Sequence, residues 1–164
     1  MSVVKDILAA YRRPRAVFRR RLGDTIREDR AIAVLMAACL VIFVAQWPRL
    51  MRQSMTDAEV PLEALMGGTL LGWLFFVPLF AYALGGVTKL ILNLFGGKTT
   101  WFSARFALFW ALLVASPLWL LWGLVAGYIG PGQELQIVGF IALTAFLVHW
   151  IVNLTIVARG SDAH

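Results

Sequence analysis

The chain has 164 residues, 60% of them apolar and only 15% charged, with a net charge of +6. A soluble domain carries about a quarter charged residues, so this composition excludes an ordinary soluble fold. The cations flank apolar stretches, where lipid head groups rather than nucleic acid meet them; the single cysteine, Cys39, excludes an intramolecular disulfide.

Four stretches contain no Asp, Glu, Lys or Arg: 31–48, 64–88, 106–133 and 135–158, of 18, 25, 28 and 24 residues. A hydrocarbon core of ~30 Å takes about 20 helical residues at ~1.5 Å each. The expected fold is therefore all-α, an integral membrane bundle of four transmembrane helices preceded by an N-terminal amphipathic interfacial helix. Residues 1–30 form the cationic arm, 31–158 the transmembrane domain, and 159–164 a short tail.

In the arm, Val4, Ile7, Leu8 and Tyr11 recur at helical intervals, and Val17, Phe18, Leu22 and Ile26 resume the stripe after Pro14. Pro14 lacks an N–H and restricts Arg13, which predicts a break or a new helix start there. Lys5, Arg12, Arg13, Arg15, Arg19, Arg20 and Arg21 lie between the stripes. A helix that is apolar on one side and basic on the other lies in a membrane interface, so these seven are the candidate membrane-surface residues. No short apolar core lies near Met1, so a cleavable signal peptide is not expected.

The first span, about 31–48, is expected to stop at Pro48, with Trp47 as an interfacial anchor. An acid-rich loop follows. The second span, about 62–95, is long enough to measure ~51 Å as one helix. It is expected to kink near Pro78, to loosen at Gly85-Gly86 and to end at Gly96-Gly97. The third span covers about 101–128 with Pro117 at its middle. A turn at Pro131-Gly132 leads to the fourth, about 135–158. Lys and Arg number nine in the arm, three between spans two and three, and one in the tail, against Arg49 and Arg52 on the other face. Thirteen against two places both termini in the cytoplasm.

Within the spans, His149 and Asn153 are four residues apart and share a face. An ionisable residue inside a span is a functional candidate by default. The alternative is an inter-helix hydrogen bond worth on the order of 1 kcal/mol, and the absence of a second intramembrane carboxylate or histidine favours it. Gly68 with Gly72, and Gly123 with Gly127, have the small-xxx-small spacing that lets helices approach closely. The sequence leaves open whether the approaching helix belongs to this chain. No catalytic, cofactor-binding or metal-binding motif is present, and no cofactor or enzymatic activity is expected.

The run Tyr11-Arg12-Arg13-Pro14-Arg15-Ala16-Val17-Phe18, the run Ala107-Leu108-Phe109-Trp110-Ala111-Leu112-Leu113, and Ser116-Pro117 with Gly123 together resemble bacterial members of the Yip family (Ypt/Rab-interacting proteins), in small versions like those of alphaproteobacteria. The likeness covers nearly the whole chain. It implies a multi-span membrane protein of the bacterial inner membrane, without defined catalytic residues. Eukaryotic relatives bind Rab GTPases, a machinery bacteria lack, and the family usually has five spans where this chain offers four. The function expected is that of a non-enzymatic membrane organiser or accessory subunit. Its partners would be anionic lipid of the cytoplasmic leaflet, and another membrane protein or a second copy of itself. The rival expectation is a small oligomeric transporter or channel with its pathway near His149 and Asn153.

Overall fold

A computed structural model describes residues 3–23, 27–56, 60–94 and 99–159, and no strand occurs among them. Ile26 and Gly96-Gly97, the last expected to end the second span, lie outside the described residues, as does most of the tail.

Two short helices, α1 (Val3–Arg12) and α2 (Pro14–Leu22), meet at Arg13. Pro14 occupies the first position of α2, where its fixed φ suits a helix start and its missing N–H costs nothing. Four rods long and apolar enough to cross a membrane follow. They are α3 (Glu28–Thr56), a continuous rod over Leu62–Leu94, α6 (Trp101–Tyr128) and α7 (Gln133–Arg159). The rod comprises α4 (Leu62–Leu71), one π turn (Gly72–Phe76) and α5 (Val77–Leu94).

Pro48 behaves differently from its sequence expectation. α3 does not stop at Pro48 but runs on to Thr56. The reason lies in its neighbour, because Gly127 of α6 packs flush on Pro48, and packing of this kind tolerates proline inside a membrane helix. Nor is the rod interrupted at Pro78 or at Gly85-Gly86. The ring of Pro78 would crowd the carbonyl four residues back. The irregularity falls just before it, as a π turn closed by the Val77 N–H on the Gly72 carbonyl. In α6 the carbonyl of Leu113 would have bonded the N–H that Pro117 lacks. The Ser116 hydroxyl donates to it instead at 2.8 Å.

α6 is the centre of the molecule. Phe106, Phe109, Trp110 and Val114 are almost fully enclosed, and α3, α5 and α7 all pack on α6. α3 runs parallel to it. Glu28 meets Arg105 at one end of the pair, and Ala45 and Pro48 meet Gly123 and Gly127 towards the other. α7 runs antiparallel, with Asn153 beside Ala107 and Gly139 beside Trp122. The Leu62–Leu94 rod leans from α3 at one end to α6 at the other, and its outer side presents Phe75, Phe76, Leu79 and Phe80.

The two glycine pairs part company. A Cβ on Gly123 would collide with the Ala45 carbonyl, and one on Gly127 with Pro48. Gly68 and Gly72 have nothing within 4 Å of a Cβ position, so that face is open. The turn into α7 needs Gly130, whose φ is +96°, a conformation that strains side-chain-bearing residues.

Candidate functional site

The arm folds back on itself and docks against the bundle. α2 lies along α7 and α6, and α1 reaches α6. Val17 and Phe18 are buried, Phe18 against Phe106 with ring centroids 6.0 Å apart, and Ile7 and Ala10 are buried with them. Ile7, Val17 and Phe18 of the apolar stripe are thus engaged by the protein itself, and Leu22 is partly buried. On α1 the apolar residues Val3, Val4 and Leu8 stay exposed.

Asp6 explains how so basic an arm docks. It is only 2% exposed, and its two carboxylate oxygens accept from Arg20 and Arg21. Arg21 also lies over the Trp110 ring, 5.4 Å from its centroid. A buried carboxylate is tolerated only when paired and hydrogen-bonded, and Pro14 supplies the bend that brings α2 back to it. Arg20 and Arg21, two of the seven candidate surface cations, are therefore paired within the hairpin, Arg20 with 48% of its side chain still accessible. Lys5, Arg12, Arg13, Arg15 and Arg19 are exposed, and none of them forms an ion pair among the described residues. Asp6 is the only acid of the first 23 residues. That isolation, with arginines at a matching distance beyond Pro14, was the sequence signal for the pairing.

Tyr11, 41% exposed, also contacts the bundle. Its hydroxyl donates to the Val114 carbonyl at 2.8 Å, one residue beyond the carbonyl freed by Pro117. Burial pushes its phenol above the ordinary value, so it remains a protonated donor. Its ring meets His149 edge-on at 5.2 Å. Nδ1 of His149 donates to the Ala145 carbonyl at 2.8 Å, and Nδ2 of Asn153 donates to Ala107 at 3.0 Å. Both residues are buried. The polar face picked out by the sequence is engaged in holding α7, α6 and the arm together.

Comparison with known protein families, with curated proteins and with solved structures finds no match.

At the same end as the arm, cations and aromatic rings tie the remaining helices together. Arg105 reaches Glu28 at 2.6 Å and lies over Tyr82, 5.2 Å from its centroid. Lys89 lies over Trp101 at 4.1 Å. Gly85 makes room for this, since a Cβ there would press on the Arg105 side chain. Among the described residues no three His, Cys, Asp or Glu side chains gather closely enough to hold a metal ion.

Proposed function

We propose that the chain is a Yip-like, non-enzymatic protein of the bacterial inner membrane, with both termini in the cytoplasm. In this reading it organises the cytoplasmic leaflet or serves as an accessory subunit there. One observation carries the reading. The arm closes its acid on its own Arg20 and Arg21, buries Ile7, Val17 and Phe18 against the bundle, and leaves Lys5, Arg12, Arg13, Arg15 and Arg19 exposed and without an ion pair among the described residues. The docked hairpin fixes the backbone that carries the cations, so the backbone part of the entropic cost of presenting them to a lipid surface is already met by folding. Each basic residue near an anionic leaflet contributes about 1 kcal/mol. The exposed Val3, Val4 and Leu8 beside them suit shallow insertion among the head groups. The excess of thirteen cations over two supports the orientation. The open Gly68–Gly72 face of the rod is where the accessory-subunit form of this reading places a neighbouring helix.

Energy transfer from the tryptophans to a dansyl-labelled anionic lipid tests the proposal, with the full chain reconstituted in mostly zwitterionic vesicles. Anionic lipid is expected to be enriched around the protein. Replacing Arg12, Arg13, Arg15 and Arg19 by glutamate removes roughly 4 kcal/mol of attraction, and with it most of the enrichment. High salt does the same to the unmodified chain. Enrichment indifferent to both would refute the proposed role.

A further inference from the structure

At the end of the bundle opposite the arm, α3, α4 and the last turn of α6 enclose an open cleft of about 770 Å³, a volume within the range of small-molecule sites. Trp47, Met51, Met55, Leu62 and Met66 make its walls apolar, and methionine adapts to irregular apolar guests. Among the described residues that line it, Arg52 alone is charged. Nη1 of Arg52 donates to the carbonyls of Gly127 and Tyr128 at 3.2 and 3.4 Å, and these hydrogen bonds hold the guanidinium at the end of α6. A guanidinium has five N–H donors. Nε and the second terminal nitrogen have no hydrogen-bond partner among the described residues, and they form the edge that grips a phosphate with two parallel bonds. The other cation at this end, Arg49, is turned to Gln46 of its own helix at 3.0 Å.

We propose that this cleft holds one anionic phospholipid of the leaflet at that end, its phosphate on Arg52 and an acyl chain along Trp47, Met51 and Met66. Among the described residues Arg52 is the one cation of an otherwise apolar lining, and its charge selects this occupant. The proposal goes beyond the cationic arm and does not depend on it.

Native mass spectrometry of the full chain in mild detergent tests it, by titration with phosphatidylglycerol and separately with phosphatidylcholine of the same acyl chains. The first phosphatidylglycerol is expected to bind about tenfold more tightly than the first phosphatidylcholine. Arg52→Gln abolishes that preference. Met55→Glu abolishes it as well, by adding a competing carboxylate at a position 80% exposed while leaving Arg52 on its carbonyls. Met55→Glu alone decides the matter if Arg52→Gln does not fold. All of these titrations are made in a chain with glutamate at Arg12, Arg13, Arg15 and Arg19, which silences the arm so that the preference read is the cleft's. In that arm-silenced chain, the absence of any preference, or a preference that survives both Arg52→Gln and Met55→Glu, overturns the proposal.

Discussion

Gly123→Ala loosens the contact between α3 and α6 and lowers the thermal stability of the detergent-purified protein by about 1–3 kcal/mol. The added methyl group meets the backbone carbonyl of Ala45, which cannot rotate aside as a side chain could. Relief requires α3 to move away from the helix that forms the centre of the fold, and Pro48 beside Gly127 moves with it. Gly68→Ala and Gly72→Ala supply the internal control. Nothing lies within 4 Å of a Cβ at either position, and alanine is the better helix former by about 0.5–1 kcal/mol. These two variants are expected to be neutral or slightly stabilising. Equal melting of all three variants would show that α3 and α6 do not pack as described.

Asp6→Asn releases the arm. Breaking a buried ion pair by removing one partner costs about 3–5 kcal/mol. Arg20 is half exposed here, with 48% of its side chain accessible, so part of that loss is screened by water. About 2 kcal/mol remains, which raises the open population roughly thirtyfold. Hydrogen exchange across Ala16–Leu22 is expected to accelerate by about that factor, while exchange in the centre of α6 stays slow. An unchanged rate in the arm would mean that Phe18 and Tyr11 hold it without help from the ion pairs.

The sequence made the four long apolar rods legible because length and the absence of charge are local properties. Trp101 and Tyr128 bound α6 as expected, and the last rod begins two residues before Leu135. What local reading misjudged was set by distant partners. Pro48 carries a helix-stop signal, yet the smooth surface of Gly127 on another helix holds α3 through it. The two glycine pairs share one spacing and differ only in what stands opposite, which spacing does not encode. His149 and Asn153 stood out as intramembrane polar residues, but the group that completes their setting, Tyr11, belongs to the arm. The arm read as an amphipathic helix with seven available cations. Asp6 divides those cations into two that pair with it across the hairpin and five with no ion pair among the described residues.

Site-directed labelling tests the topology of four crossings with the cationic arm inside. In a Cys39→Ala background, which removes the single, buried native thiol, Arg15→Cys and Gln133→Cys each place one thiol at an exposed position, and three of the four rods separate them. A membrane-impermeant maleimide should label the Gln133 variant in intact spheroplasts, and the Arg15 variant only in inverted vesicles. Labelling of both from the same side, or of the Arg15 variant from outside, would contradict the account.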